Sequence, residues 1–292
     1  MSNSLSTAAL MRAFAVSPKK HRGQNFLRDA QTARMLVSRA GIGPGDAVLE
    51  IGAGMGAMTF PLAEAAHCVF AVEADLRVAD VLESQITPAL AEKIRVIRND
   101  IMKTDLAPVR ELAGSPLTVF GNLPYYLSSQ VLIKLIMERR HVARAFLLFQ
   151  KELADRILAP PGGRDYGRIS VAAQYASKIR PVVTLSPEHF LPKPKIHSTL
   201  LAFDFSTQPV APARDEALFF SVVAGAFSQR RKMLKNALEP LLRELAAVEP
   251  DRAFARAGID PAIRAEKLSP ADFVRLADAI AFPAAEEPGQ PA

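Results

Sequence analysis

The stretch that decides the fold is Ala47-Val48-Leu49-Glu50-Ile51-Gly52-Ala53-Gly54-Met55-Gly56, an apolar run that ends in a glycine-rich turn. A short apolar run bounded by turn residues is typical of a buried strand, and the segment after Gly56 reads as a helix. A glycine turn between a strand and a helix is a place where backbone N–H groups cradle a nucleotide. The stretch therefore predicts the first strand and ligand-binding turn of an α/β sheet.

Further apolar runs continue the same pattern on both sides of that turn. A helix is expected over 29–40, and later strands are expected at 68–72, 94–97, 117–120, 145–149, 182–185 and 198–205. The segments between the first five strands are long enough to form crossover helices, which is the βαβ pattern of a parallel sheet. The sequence therefore predicts an α/β fold with a doubly wound, Rossmann-like sheet.

The domain organisation follows from changes in composition along the chain. Residues 1–22 lack a hydrophobic period and read as a flexible basic arm, and 23–206 form the α/β domain. Beyond a proline-containing linker, 214–282 show helical periodicity without strand signals, which predicts a smaller all-helical C-terminal domain. Residues 283–292 are expected to be a disordered tail.

Length and charge limit the class of protein. The chain has 292 residues, 49% of them hydrophobic, and a net charge of +6, so it can bury a full core and favours a polyanionic partner. Its only cysteine, Cys68, excludes an internal disulfide. No apolar run reaches the roughly 18 residues needed to span a bilayer. We expect a cytoplasmic protein that does not interact with membranes.

Acidic residues stand at the ends of three predicted neighbouring strands: Glu50, Glu73 and Asp100. A dinucleotide-binding turn also has an acid near the position of Glu73, so that residue does not discriminate. The spacing Gly-x-Gly-x-Gly, the acid before it and Asp100 favour a cationic cofactor without a pyrophosphate. S-adenosylmethionine fits this set, and no metal is expected. The alternative for Glu50, Asp75 and Asp100 is that each is a helix cap or a solvated loop residue.

A second motif, Gly121-Asn122-Leu123-Pro124-Tyr125-Tyr126, follows the strand expected at 117–120. The carboxamide oxygen of Asn122 and a neighbouring peptide carbonyl can accept both hydrogens of an exocyclic amine, such as the N6 of adenine. Two acceptors localise the amine's lone pair, so catalysis becomes positioning and electrostatics. Tyr125 can stack on the base. The alternative is a proline–tyrosine turn that packs into the core.

With these motifs in this order, the chain resembles the small-subunit ribosomal RNA adenine dimethyltransferases, the KsgA/RsmA family, over about 19–280. The matching segments are Gly23 to Leu27, Glu50 to Gly56, Glu73 to Asp75, Asn99-Asp100, Gly121 to Tyr126, Phe190 to Pro194 and Gln229 to Lys232. The resemblance implies a doubly wound methyltransferase sheet followed by a C-terminal helical domain. Tyr126 departs from the family pattern, which often has Asn or His at this position.

The resemblance also implies residue roles. S-adenosylmethionine would be held by Asn25, Leu27, Gly52, Glu73, Asp100 and Asn122. The target adenine would be oriented by Asn122 with the carbonyl of Leu123 or Pro124, and sandwiched between Tyr125 and Phe190. Without the resemblance, Asn25 reads as a helix cap and Phe190 as a core aromatic.

Basic residues form clusters that predict contacts with RNA phosphates. They are Lys19, Lys20 and Arg22, then Lys193 and Lys195, then Arg230, Arg231, Lys232 and Lys235. The last group is expected on a helix, with Arg231 and Lys235 on one face. Each cluster by itself is also compatible with a solvated surface.

Taken with the resemblance, these features predict S-adenosylmethionine-dependent N6,N6-dimethylation of two adjacent adenosines in small-subunit (16S) rRNA during ribosome biogenesis. The expected partner is this rRNA within the immature subunit, and the protein is expected to be a monomer. The alternatives are a large-subunit rRNA adenine-N6 methylase and a non-catalytic RNA-binding assembly factor on a methyltransferase fold. A DNA adenine methyltransferase would more typically carry Asp-Pro-Pro-Tyr than Asn122-Leu123-Pro124-Tyr125.

Overall fold

The computed structural model describes residues 7–15, 25–208, 210–245 and 250–282. The chain divides into two compact units, the first formed by Met1–Asp155 and Ser177–Thr207 and the second by Arg156–Ala176 and Gln208–Ala292. The composition of the chain predicts a boundary between 206 and 214, which would assign 156–176 to the first domain. In the structure, that segment groups with the second unit.

Nine strands are present in the described residues. They are β1 (Phe26–Leu27), β2 (Ala47–Ile51), β3 (Cys68–Glu73), β4 (Ile94–Arg98), β5 (Leu117–Asn122), β6 (Val142–Gln150), β7 (Lys178–Leu185), β8 (Phe190–Leu191) and β9 (Ser198–Asp204). All belong to the first unit. The strands predicted from the sequence are therefore all present, with ends that differ by a few residues, and the two-residue strands β1 and β8 were not predicted.

The main sheet has seven strands in the order β4-β3-β2-β5-β6-β9-β7. Strands β2 to β6 pair in parallel, whereas β9 runs antiparallel to both β6 and β7. The chain moves outward in one direction from β2 through β3 to β4, and in the other direction from β5. The crevice between β2 and β5 is therefore the topological switch point, where doubly wound sheets bind their ligands.

Thirteen α-helices lie in the described residues. They are α1 (Thr7–Ala13), α2 (Ala30–Ala40), α3 (Thr59–Ala65), α4 (Leu76–Ser84), α5 (Pro88–Ala91), α6 (Leu106–Ala113), α7 (Ser128–Met137), α8 (Lys151–Leu158), α9 (Arg168–Ala176), α10 (Glu216–Ala226), α11 (Leu234–Glu244), α12 (Pro250–Ala257) and α13 (Pro270–Ala281). None of these helices is long and apolar enough to cross a membrane.

Local sequence explains how the strands and helices near the glycine turn are placed. Strand β2 is buried along its whole length, as expected for the centre of a parallel sheet. Helix α2 begins at Asp29, whose carboxylate accepts from the N–H of Thr32, and ends at Gly41 in the left-handed conformation. These caps fix where the chain enters β2 and therefore where the glycine turn begins.

Helix α1 corrects part of the expectation for residues 1–22. Residues 7–13 are helical rather than flexible, and the hydroxyl of Thr7 donates to the carbonyl of Leu27 at 2.6 Å. Leu10 is buried in a small cluster with Met55, Val78 and Val81. The helix is too short to show a hydrophobic period in the sequence, and these contacts with distant residues hold it in place. The remainder of the predicted arm, 1–6 and 16–22, lies outside the described residues, as does the predicted tail, 283–292.

The second unit includes α9 because its side chains pack within a helical core. Tyr175 packs against Phe219 with ring centroids 4.2 Å apart, and its hydroxyl donates to Glu216 at 2.6 Å. The hydroxyl of Tyr166 donates to the carbonyl of Leu268 at 2.9 Å. These hydrogen bonds join residues that are 41 and 102 positions apart in the sequence, so no local pattern predicts them.

The prediction of a basic helix over 230–235 is wrong for residues 230–232, which are not helical. Helix α10 ends at Ala226, and Arg230 to Lys232 lie in the turn before α11. The first N–H groups of α11 bond to another loop instead of to a preceding helical turn, Leu234 to the carbonyl of Ile263 and Lys235 to that of Pro261. Arg231 and Lys235 therefore do not share a helical face.

Candidate active site

A cleft of about 540 Å³ opens at the carboxyl ends of the parallel strands. The residues after β2, β3, β4 and β5 all contribute to it, as the switch-point position requires. The acidic side chains in its lining are Glu73, Asp75 and Asp100, and no Lys, Arg or His from the described residues lines it. This lining favours a cationic ligand over one that carries phosphates.

The glycine turn approaches the cleft through its backbone. Gly52 has a φ of +74°, which favours glycine, and its N–H donates to the carbonyl of Val72 at 2.9 Å. Gly56 is needed for packing, because a Cβ there would lie 2.4 Å from the ring of Phe60 and 2.8 Å from Leu82. Gly52 lines the cleft. Gly56 has no side chain, and this lets Phe60 and Leu82 pack directly against the turn.

Glu73 lies at the end of β3 with both carboxylate oxygens bonded to backbone. One accepts from the N–H of Gly54 at 2.9 Å and the other from that of Asp75 at 2.8 Å. Burial raises the pKa of Glu73, and these backbone hydrogen bonds oppose the shift. The carboxyl group thus links the glycine turn to the β3 terminus at the cleft wall.

Asp100 and Asp75 combine the two roles that the sequence analysis left open. Asp75 caps α4 by accepting from the N–H of Arg77, and Asp100 caps the short 3-10 turn at Ile101–Lys103 by accepting from Met102. Both also line the cleft. The capping hydrogen bonds hold both carboxylates in place at the cleft wall.

Glu50 is almost completely buried at the base of the glycine turn, with 3% of its surface exposed. The hydroxyl of Thr59 donates to its carboxyl group at 2.6 Å. Burial raises the pKa of Glu50 to about 8, and the nearby charge of Glu73 adds to the shift. Glu50 lines a second, smaller cavity of about 250 Å³, and both Gly52 and Asn122 line this cavity as well as the cleft.

Asn122 stands at the boundary of the two cavities, at the end of β5. Its amide nitrogen Nδ2 donates to the carbonyl of Asn25 at 2.9 Å. No donor among the described residues bonds to its Oδ1. Because the nitrogen is already engaged, the side chain has one orientation, with its acceptor oxygen available to an incoming donor.

The two peptide carbonyls after Asn122 differ in their partners. The carbonyl of Pro124 accepts from the N–H of Leu127 at 2.9 Å and from the hydroxyl of Ser128 at 3.1 Å. The carbonyl of Leu123 accepts no hydrogen bond from the described residues. A carbonyl oxygen has two lone pairs, so Pro124 has none left and Leu123 is the remaining acceptor.

The aromatic residues proposed for base stacking are in different environments. Tyr125 is half-buried, its hydroxyl shares a hydrogen bond of 3.4 Å with that of Ser198, and burial raises its pKa. Phe190 pairs with Leu27 across the β1–β8 ribbon and is 2% exposed within the hydrophobic core. Neither Tyr125 nor Phe190 lines the cleft, so both side chains must move if they are to stack on a base bound there.

All but one of the residues that the resemblance assigns to the cofactor lie around one cleft. Asn25, Gly52, Glu73, Asp100 and Asn122 all line the cleft. Leu27 lines only the smaller cavity, where α1 covers it. The contribution of α1 was missed, since Thr7 and Leu10 line the same cavity and no motif in the sequence marks them.

The predicted RNA-binding residues also differ in their surroundings. Lys193 is exposed and pairs with Glu188, whose pKa this contact lowers to about 2, and Lys195 is exposed. Arg230 donates to the backbone carbonyls of Arg164 and Tyr166, so it joins two loops of the second unit. The remaining described ones, Arg231, Lys232 and Lys235, are exposed. Lys19, Lys20 and Arg22 lie outside the described residues.

The doubly wound sheet, the acidic cleft at its switch point and the fixed amide of Asn122 in the cleft lining are features of an S-adenosylmethionine-dependent methyltransferase. Comparison with known proteins narrows this class. Residues 16–281 match the family model described as ribosomal RNA adenine dimethylase. The chain belongs to this family, is an rRNA adenine dimethyltransferase, and uses S-adenosylmethionine as its cofactor.

Curated relatives are similar in sequence to this chain over nearly its whole length. The chain is similar to ribosomal RNA small subunit methyltransferase A of Desulforapulum autotrophicum, with 43% identity over 93% of this chain and 95% of the relative. The protein of the same name from Shouchella clausii is 36% identical over 94% and 93%. The crystal structure of a dimethyladenosine transferase from Plasmodium falciparum shares the fold, with a TM-score of 0.68, 24% identity and coverage of 86% and 95%.

Proposed function

We propose that the chain dimethylates the N6 atoms of two adjacent adenosines in small-subunit rRNA, acting as a monomer on the immature ribosomal subunit in the cytoplasm. Membership of the rRNA adenine dimethylase family and the names of the curated relatives support the small subunit as target. The observation that carries the proposal is the fixed amide of Asn122, with Nδ2 bonded to Asn25 and Oδ1 available.

Asn122 and Leu123 would hold the target amine between them. The Oδ1 of Asn122 accepts one N6 hydrogen and the carbonyl of Leu123 accepts the other, because the Pro124 carbonyl already has two donors. Two acceptors favour a pyramidal nitrogen whose lone pair is localised and points at the methyl group. Tyr125 would stack on the adenine, and Phe190 would reach the opposite face only after leaving its buried position.

The cofactor would lie along the acidic wall of the cleft. Asn25, Gly52 and Leu27 would hold its methionine end. Glu73 would accept hydrogen bonds from the ribose hydroxyls, and Asp100 would accept one from the adenine amino group. When bound, its sulfonium supplies an electrophilic methyl group and leaves as a neutral thioether. The acids favour the positive cofactor, while the nitrogen loses its proton to solvent after each transfer, so no general base is required.

The phosphate contacts would come from exposed basic residues. Arg231, Lys232, Lys235 and Lys195 present cations without a paired carboxylate in the described residues, whereas Lys193 is paired with Glu188. Arg230 would contribute by fixing the turn that carries Arg231. Lys19, Lys20 and Arg22 are retained from the sequence analysis as candidate contacts in the N-terminal arm.

Incubation with radiolabelled S-adenosylmethionine tests the proposal directly. Immature small subunits, large subunits and double-stranded DNA are offered separately, and the products are digested to nucleosides. We expect N6,N6-dimethyladenosine in the small-subunit sample alone, in a ratio of about two per particle, because two adenosines are modified. Label in the large subunit would instead support the large-subunit methylase, and binding without label in any sample would support the assembly factor.

A further inference from the structure

Tyr126 is the most exposed aromatic side chain among the described residues. It is 61% exposed, whereas Phe282 and Phe14 are 48% and 45% exposed. No described residue stacks on its ring or bonds to its hydroxyl. Exposed apolar side chains also occur singly on protein surfaces, as at Leu112 and Leu76, so the exposure of Tyr126 gains meaning only from its position at the cleft.

Tyr126 lines the same cleft as Asn122 and Pro124. Its backbone is held in the turn that the Pro124 carbonyl closes through Leu127 and Ser128. The neighbouring Tyr125 is half-buried and its hydroxyl contacts Ser198. Two consecutive tyrosines therefore have different environments, one inside the protein and one at the mouth of the cleft.

This position matches a need that the proposed reaction creates. A base that enters an active site leaves its neighbours in the strand without their stacking partner. An aromatic ring restores that stacking in a sequence-tolerant way. Consecutive Cα atoms are about 3.8 Å apart, so a ring one residue away from Tyr125 is within reach of the nucleotide next to the target.

We propose that Tyr126 stacks on the nucleobase adjacent to the target adenine and so determines how the RNA strand is positioned at the mouth of the cleft. The proposal rests on the proposed function, because it requires an RNA substrate whose target amine is held by Asn122. It assigns to Tyr126 a substrate-binding role separate from that of Tyr125.

Kinetics of three variants on immature small subunits test this role. Tyr126→Ala and Tyr126→Asn are expected to raise the KM for the subunit by about 5- to 150-fold, the range for loss of one stacked base. Tyr126→Phe should keep the wild-type KM, because the ring and not the hydroxyl stacks. The kcat at saturation and the S-adenosylmethionine affinity from calorimetry should stay within about twofold of the wild type.

Leu112→Ala is the matched control. Leu112 is 63% exposed on α6 and does not line the cleft, so its truncation removes a similar exposed apolar side chain without touching the RNA. Three results would overturn the assignment: an unchanged KM in Tyr126→Ala, a KM in Tyr126→Phe as high as in Tyr126→Ala, or a loss of cofactor affinity that matches the loss in kcat/KM. An inactive wild-type protein would instead refute the proposed function.

Discussion

At the residue scale, the two ends of the Asn122 side chain have separate tasks. The nitrogen is fixed by the Asn25 carbonyl, and the proposed function assigns the free oxygen to the substrate amine. Asn25, which anchors Asn122, also lines the cleft. The same backbone segment therefore forms part of the cleft wall and sets the orientation of the amide.

Asn122→Ala tests this division of tasks. Loss of the acceptor oxygen should lower methyl transfer by about 10²- to 10³-fold, the range for removal of one preorganised electrostatic partner. Calorimetry should show that S-adenosylmethionine affinity falls by much less, because Glu73, Asp100 and Gly52 remain. Equal losses in transfer and in cofactor affinity would show that Asn122 serves the cofactor and not the amine.

Glu50 has a second residue-scale consequence, which concerns stability. Its pKa is raised from 4.5 to about 8 in the folded protein, chiefly by burial. Between these two values the folded protein holds a proton that the unfolded chain has lost. The free energy of unfolding contributed by Glu50 therefore falls as the pH rises from about 4.5 to about 8, and Glu73 adds a change of the same sign.

Glu50→Gln isolates that contribution, because the glutamine oxygen still accepts from Thr59 and the side chain cannot ionise. The thermal unfolding midpoint of the variant, relative to wild type, should rise between pH 5 and pH 9 in the absence of cofactor. Over the same pH range, the thermal unfolding midpoint of the wild type should fall more steeply than that of the variant. A constant difference between the two proteins at both pH values would rule out titration of Glu50 in this window.

At the element scale, the sequence predicts the strands, because each strand is marked by a local pattern of residues. The strands from β2 to β6 were recognised because each is a short apolar run between turn residues, and their ends then placed Glu73, Asp100 and Asn122 together. Docking of α1, the grouping of α9 with the second unit and the turn at Arg230–Lys232 were not recognised. These depend on partners distant in sequence, such as Leu27 for Thr7 and Ile263 for Leu234.

Helix α1 offers an element-scale prediction. Seven residues are too few for a stable isolated helix, so α1 depends on the Thr7–Leu27 hydrogen bond and on burial of Leu10. Thr7→Val and Leu10→Ala should each speed amide hydrogen exchange over residues 7–13. The global unfolding midpoint should change little, because a terminal helix opens locally.

Arg12→Ala is the control for α1, since Arg12 is exposed on the same helix. Its exchange pattern should match that of the wild type. If Thr7→Val and Leu10→Ala also leave exchange over 7–13 unchanged, α1 is not held by these two contacts. If both variants unfold globally at much lower temperature, α1 is part of the main cooperative unit and does not open locally.

At the scale of the whole molecule, the net charge of +6 does not locate the RNA-binding surface. Several cations are committed to internal partners: Arg98 to Glu83 and Asp80, Arg144 to Asp46, and Arg230 to two backbone carbonyls. The sequence gives no reason to distinguish Arg230 from Arg231. In the structure, Arg230 donates to backbone carbonyls, whereas Arg231 is exposed. Arg231, exposed in the second unit, is therefore the informative position for substitution.

Arg231→Glu is expected to weaken binding to the small subunit and to lower the slope of log affinity against log salt by about one unit or more, because a phosphate contact is lost. Filter binding at salt concentrations from about 50 to 200 mM gives both quantities. Arg110→Glu makes the same change in net charge on the exposed surface of α6, outside the cleft, and should leave the slope near the wild-type value. Equal effects of the two substitutions would show that affinity follows overall charge. No effect of either would assign Arg231 to the solvated surface and leave RNA binding to other residues.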